Sequence, residues 1–201
     1  LPCMRREELA ALAEGLVRPE RRAWHPALRS ARLGGRPVVW KDAGGRPWLF
    51  RRILGLVLRR EARIMARLSG MPSVPRLVAV CEDGGYVMER LDADRMPHLR
   101  HSALSPAFFD ELLGEIQAMH ARGVAHGDLR RKNILVSAAD QRPKLIDYGT
   151  AILLPAGAGW LRSYPWRQAR RIDLLHYAKL KQYYLPGSLD ERERRWLADA
   201  P

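Results

Sequence analysis

Cysteine is scarce in this chain: Cys3 and Cys81 are the two it has in 201 residues. Two thiols cannot build a disulfide framework or a thiolate metal cluster, and they read as free thiols of a reducing compartment. Long hydrophobic runs are missing too. The longest uncharged apolar stretches, residues 53–58 and 151–161, fall short of the ~20 residues needed to cross a bilayer. No secretory signal is visible, which makes the cytoplasm the expected location. There is no internal repeat, no low-complexity linker and no histidine spacing of the kind that ligates metal. Negative charge is outnumbered, with 35 Lys+Arg against 22 Asp+Glu and a formal net charge of +13. At 47% hydrophobic residues the chain can still bury a sizeable core as a single domain. It opens on Leu1 with no initiator methionine, which reads as a trimmed amino terminus.

The densest chemistry lies in His126-Gly127-Asp128-Leu129-Arg130-Arg131-Lys132-Asn133-Ile134-Leu135-Val136, followed by Asp147-Tyr148-Gly149. An aspartate, an asparagine, two apolar strand-like runs and a second aspartate form the layout of a metal-dependent phosphotransferase site. Asp128 would orient an acceptor hydroxyl and take its proton, while Asn133 and Asp147 would hold the magnesium ions that neutralise ATP phosphates. Alone, D-x-x-x-x-N arises often by chance in loops, where both residues serve as turn formers. An independent feature lies in the amino-terminal half. Lys41 ends the β-prone run Pro37-Val38-Val39-Trp40-Lys41, and a helix-like segment over about 48–68 puts Glu61 on one inward face with Leu54, Leu58, Met65 and Leu68. A buried glutamate needs a cation. Lys41 is the natural one, and Arg63 on the helix surface is the bland alternative.

Together these motifs resemble the protein-kinase-like superfamily, over about residues 38–183. The resemblance implies an α+β, two-lobed fold. A small amino-terminal lobe (about 1–88) would carry an antiparallel sheet and one helix, a hinge would span about 89–91, and a reduced, mainly helical carboxy-terminal lobe would follow (about 92–201). ATP and magnesium are the implied cofactors. Residues 86–91 match the strand and hinge, with Met88 at the back of an adenine pocket, the Glu89 carbonyl and Leu91 amide reading the adenine edge, and Val39 and Leu135 as walls. Both wall residues suit an ordinary strand core equally well. Arg130 takes the place of the family's catalytic-loop lysine and would neutralise the transferring phosphoryl group. Asp173 resembles the buried aspartate that braces the catalytic loop, with a surface pair to Arg170 as the alternative. His126 reads as structural.

The chain also departs from the common family pattern. His-Gly-Asp replaces His-Arg-Asp, Asp-Tyr-Gly replaces Asp-Phe-Gly, and Ala-Pro-Glu is absent. No G-x-G-x-x-G precedes Lys41, where Gly34-Gly35 reads as a hairpin turn. About fifty residues follow Asp147, too few for a long activation segment and several late helices. These departures resemble the small atypical members: RIO kinases, the small kinase of the tRNA threonylcarbamoylation complex, and bacterial lipopolysaccharide-core heptose and Kdo kinases.

Local patterning predicts helices over 5–16, 48–68, 105–122 and 166–184. Two strands are expected within 28–42, two more over 76–82 and 86–91, and a pair over 134–136 and 144–146. Two segments join aromatics to arginine, Arg46-Pro47-Trp48-Leu49-Phe50-Arg51-Arg52 and Trp160-Leu161-Arg162-Ser163-Tyr164-Pro165-Trp166-Arg167. Such segments suit a membrane interface, stacking on nucleic-acid bases, or core aromatics between solvated arginines. A sequence pI near 10.6 favours anionic partners in each case. The expected activity is ATP-dependent phosphorylation of a hydroxyl acceptor, first on a lipopolysaccharide-core sugar or other envelope glycolipid. A serine/threonine protein acceptor is the next reading, and a non-catalytic nucleotide- or RNA-binding module is the alternative from another class. A glycolipid acceptor would place the protein peripherally on the inner face of the membrane.

Overall fold

The computed structural model describes residues 2–17, 25–45, 47–96, 104–157 and 159–198. The chain divides into two compact units, Leu1–Gly70 with Pro75–Leu91, and Met71–Val74 with Asp92–Pro201. The short segment Met71–Val74 joins the second unit through named bonds: the Ser73 carbonyl accepts from Leu145 N at 2.7 Å, and Ser73 Oγ donates to Glu115 at 2.6 Å.

The first unit is a six-stranded sheet with two helices. Its elements in chain order are β1 (Cys3–Met4), α1 (Arg6–Leu12), β2 (Ala13–Leu16), β3 (Ala27–Leu33), β4 (Arg36–Asp42), α2 (Trp48–Arg67), β5 (Leu77–Cys81) and β6 (Tyr86–Glu89). The strands lie in the order β1-β5-β6-β4-β3-β2. All pairs are antiparallel except β1 with β5, so the expected purely antiparallel sheet with one helix gains a parallel edge strand and a second helix. Gly34 and Gly35, at φ +55° and +76°, close the β3–β4 hairpin in the left-handed region that a two-residue turn requires. The expected helix over 5–16 stops at Leu12. Residues Ala13–Leu16 instead pair with β3, because Gly15 is a poor helix former and the edge of β3 offers backbone partners.

Strand alternation sorts β4 between two faces. Val38 and Trp40 pack with Leu9 of α1, Ala31, Ala79, Cys81 and Val87. Val39 and Lys41 point to the other face, where Tyr86 stands opposite Lys41 in the β4–β6 ladder and α2 packs on β5 and β6.

The second unit contains β7 (Ala93–Arg95), α3 (Pro106–Ala121), β8 (Val124–Ala125), β9 (Ile134–Ser137), β10 (Pro143–Leu145), β11 (Ile152–Leu153), α4 (Trp160–Tyr184) and α5 (Glu191–Ala198). Ser105 caps α3, its Oγ accepting from Phe108 N at 3.2 Å ahead of Pro106 in the first turn. Helix α4 begins six residues before the expected start and contains Pro165. Trp166 anchors that early part, buried against Ala125 and Ala169, with the Arg170 guanidinium 4.8 Å from its ring. Trp166 therefore belongs to the core, whereas Trp48, Phe50, Trp160 and Tyr164 are exposed. Arg46, part of the first arginine-aromatic segment, lies outside the described residues. Helix α5 was not anticipated. It is pinned by Glu193, which accepts from Lys181 at 2.7 Å, Tyr177 at 3.1 Å and Asp190 N at 2.9 Å.

Helix α2 meets the turn before β6 through two glycines. A Cβ on Gly55 would stand 2.4 Å from the Asp83 carbonyl oxygen, and Gly84, at φ +96°, faces Gly55 at the same contact. Gly55→Ala should therefore lower stability. Overpacking costs about 1–3 kcal/mol and outweighs the helix gain of roughly 0.5–1 kcal/mol, leaving a net loss of about 1–2 kcal/mol in urea unfolding. Unchanged or raised stability would show that the turn simply yields.

Candidate active site

The catalytic-type loop is assembled in the second unit by one buried carboxylate. Asp173, on α4, accepts from His126 N and Gly127 N, each at 2.8 Å, and its Oδ2 lies 2.9 Å from His120 Nε2. It is fully buried, so the bracing role holds and the surface pair with Arg170 does not. Strand β8 carries the chain into this loop and pairs with β11, which carries it away from Asp147-Tyr148-Gly149. The two motifs are thereby drawn side by side. His126 links them: its Nε2 lies 3.1 Å from the Ile146 carbonyl, and its Nδ1 lies 3.4 Å from Asp128 N. That pattern assigns the ring proton to Nε2, which donates, and leaves Nδ1 to accept.

Asp128 and Asn133 are in direct contact. Asn133 Nδ2 donates to the Asp128 carbonyl at 2.8 Å and to Asp128 Oδ2 at 3.1 Å, which turns the Asn133 carbonyl oxygen the other way. Ile146 N donates to the Asn133 carbonyl at 3.0 Å, so Asp147 follows immediately beside this loop. Asp147 has φ 69° and ψ 71°, a left-handed conformation that is uncommon outside glycine, though aspartate and asparagine are enriched among the exceptions. Its carboxylate is exposed. Among the described residues no group of three or more His, Cys, Asp or Glu can hold a metal. An asparagine carbonyl and one carboxylate are instead a hard-oxygen donor set that suits magnesium sharing its coordination with phosphates and water.

Two cations hold Asp128. Arg130 Nε donates to Oδ1, and Lys132 Nζ lies 2.9 Å from Oδ2. Partial burial alone would raise the carboxyl, but the hydrogen bonds and charges of Arg130 and Lys132 outweigh it and hold Asp128 below the usual carboxylate range. The sequence reading named Arg130 and missed Lys132, although its i+4 position relative to Asp128 was a usable signal.

In the first unit, Lys41 Nζ lies 2.6 Å from Glu61 Oε1, with side chains 9% and 3% exposed. Tyr86, fully buried, brings its ring within 5.7 Å of Lys41 Nζ, and burial pushes its hydroxyl well above its ordinary pKa. Sequence reasoning treated Tyr86 only as the start of a strand; the β4–β6 register shows its place. Val39 stands opposite Met88 and Val38 opposite Glu89. Glu89 spends its amide on the Arg76 carbonyl at 2.9 Å, and Leu91, the last residue of this unit, is half-buried. Leu135, half-buried on β9, pairs with Lys144 and Arg95 in the second unit.

A braced aspartate-asparagine loop beside a second aspartate, and a buried lysine-glutamate pair on a strand and helix, are the parts of a kinase-type phosphotransfer fold. The chain belongs to the protein kinase domain family, whose model matches residues 55–165. Membership implies ATP and magnesium as cofactors. The chain is 26% identical over 100 residues to casein kinase II subunit alpha' of Saccharomyces cerevisiae, covering 46% of this chain and 30% of the relative. It is 28% identical over 142 residues to CBL-interacting serine/threonine-protein kinase 16 of Arabidopsis thaliana, covering 69% and 28%. It is 35% identical over 109 residues to serine/threonine-protein kinase PEPKR2 of the same plant, covering 50% and 23%. The chain thus spans less than a third of the length of these relatives.

Two measurements test this geometry. In a carboxyl-carbon NMR titration, Asp128 should titrate below the ordinary aspartate value of about 3.9. Because its folded value is depressed, the stability it contributes is complete above that ordinary value and is lost as pH falls through the folded one. Arg130→Ala should move the midpoint up, and adding Lys132→Ala should move it up further, since burial is then opposed by the Asn133 amide instead of two cations. A midpoint indifferent to both changes would remove the two cations from Asp128. Lys41→Met should cost about 3–5 kcal/mol in urea unfolding by stranding buried Glu61, and adding Glu61→Leu should recover most of that loss. Additive losses would show that the two residues act independently.

Proposed function

We propose that this chain is the catalytic unit of an ATP-dependent kinase that phosphorylates a serine or threonine hydroxyl of a protein. The observation that carries the reading is the Asp128–Asn133 contact on a loop fixed by Asp173. In this reading the two compact units are the amino- and carboxy-terminal lobes, and residues 89–91 form the hinge. Lys41, held by Glu61, binds phosphate oxygens, while Val39, Met88, Glu89, Leu91 and Leu135 receive the adenine. Asn133 and Asp147 hold magnesium, which when bound neutralises charge on the phosphates. Arg130 meets the transferring group in this reading, a role it takes by releasing Asp128.

Asp128 accepts the hydrogen of the acceptor hydroxyl and so aims its oxygen at phosphorus. A carboxylate held below its usual range is a weak base, which suits a loose transition state in which orientation matters early and the proton moves late. Helix α4 begins at Trp160, soon after Asp147, so no long activation segment intervenes. That brevity, with His-Gly-Asp and Asp-Tyr-Gly, supports an atypical small branch of the family, of the RIO or lipopolysaccharide-kinase type. The similarity to serine/threonine-protein kinases supports a protein acceptor. A lipopolysaccharide-core sugar or other envelope glycolipid is the second reading, favoured by exposed Trp160, Leu161 and Tyr164 among Arg162 and Arg167.

The test is transfer from γ-labelled ATP into a soluble protein extract and, separately, into extracted membrane glycolipid. Label should enter protein, and Asp128→Asn should reduce it by about 100-fold or more while nucleotide binding persists. Label in lipid alone would select the second reading. No transfer to either would leave a nucleotide- or RNA-binding module.

A further inference from the structure

We propose that the outer face of α2 docks on an anionic phospholipid bilayer, an interaction that does not depend on the catalytic reading. Helix α2 buries Leu54, Leu58, Ala62 and Met65, with Glu61 among them. At about 100° per residue, Leu49, Phe50, Ile53, Leu56 and Val57 fall within an arc of about 120° on roughly the opposite side. Over the first ten residues of α2 that arc is solvent-facing, with Leu56 65% exposed, Ile53 53%, Leu49 51% and Trp48 at the helix start 64%, whereas Ile64, further along the same arc, is buried. A surface helix ordinarily places polar and charged residues there. The first turns of α2 are therefore apolar on both sides, one satisfied by the sheet and one left for a partner.

Charge and shape identify that partner. No carboxylate occurs over residues 48–60, which carry Arg51, Arg52, Arg59 and Arg60. Arg51, Arg52 and Arg59, with Gly55, Leu56 and Asp83, line a cavity of about 430 Å3 at the edge of the apolar arc. Arg59 spends one donor on the Glu82 carbonyl at 2.6 Å, and among the described residues no carboxylate pairs with Arg51 or Arg52. Asp83 is the one acid in the cavity, outnumbered by three guanidiniums and lying 3.9 Å from Arg6 Nε. An open, arginine-lined hollow next to an apolar surface fits a phospholipid, whose headgroup phosphate takes the guanidiniums while acyl chains meet Leu49, Ile53 and Leu56. Trp48 and Phe50, at one end of the face, suit the interfacial depth.

The experiment is flotation of the full chain with vesicles of phosphatidylcholine and phosphatidylglycerol in equal parts, against pure phosphatidylcholine. Binding to the mixed vesicles alone is expected, weakening as salt is added. Leu49→Ser with Leu56→Ser, and separately Arg51→Glu with Arg52→Glu, should each weaken binding by at least about tenfold. Thermal melting should be unchanged for both pairs, and the arginine pair tests the proposal even if the serine pair proves unstable. Absence of binding to mixed vesicles would overturn the proposal, as would variants that bind like the wild type, since other basic surfaces would then be responsible. A wild-type dimer in sedimentation that Leu56→Ser splits would also overturn it, assigning the face to a second copy.

Discussion

The Asp173 carboxylate is the constraint from which the candidate site follows. A carboxylate accepts only, and here its oxygens, fully buried, are aimed at two consecutive amides of the loop and the His120 ring. Consecutive amides can point at one acceptor only if the backbone between them turns sharply, and Gly127 supplies the turn at φ +76°. A side chain at that position would also put its Cβ 3.2 Å from the Thr150 carbonyl oxygen. The glycine of His-Gly-Asp thus has two local reasons to be glycine. With the loop fixed, His126 reaches Ile146 and Asn133 reaches Asp128, so the first motif carries the second aspartate to its side.

A comparable economy governs the end of β4. Lys41 and Asp42 are adjacent, both buried, and on opposite faces of the sheet. Lys41 is neutralised by Glu61 of α2. Asp42 accepts from Arg6 of α1 at 3.1 and 3.2 Å, from Arg29 of β3 at 3.3 Å and from Gly44 N at 2.7 Å. One dipeptide therefore ties both helices of the first unit to its sheet. Buried ion pairs are weak contributors to net stability but costly to break singly, so this arrangement specifies position more than it adds strength.

What the sequence made legible were residues whose spacing itself encodes geometry. Glu61 was readable because it shares a helical face with Leu54, Leu58 and Met65, and Asp128 with Asn133 because a short loop brings such a pair together. Helix α3 was readable from Ser105 and Pro106. Features set by long-range pairing were hidden. Tyr86 needs the β4–β6 register, Asp42 needs Arg6 from far upstream, and Ala13–Leu16 became a strand because β3 was available. Trp166 and Trp160 lie in one arginine-aromatic segment, yet packing against Ala125 and Ala169 buries the first and leaves the second exposed. Composition alone does not distinguish them.

The same use of acids shapes the outward field. Asp42, Glu61, Asp173 and Glu193 are buried, and Asp128 is held between Arg130 and Lys132. Several of the chain's acids are thus consumed as internal braces, whereas Arg51, Arg52, Arg59 and Arg63 face solvent. The field presented outside is more positive around these residues than a formal count of +13 distributed evenly would suggest. Paired internal charges cancel at short range, and unpaired surface guanidiniums act out to a Debye length, ~8 Å at physiological ionic strength. Folding therefore sharpens a compositional bias into a directional one: carboxylates fix the loop and the sheet from within, and arginines are left to meet phosphate outside.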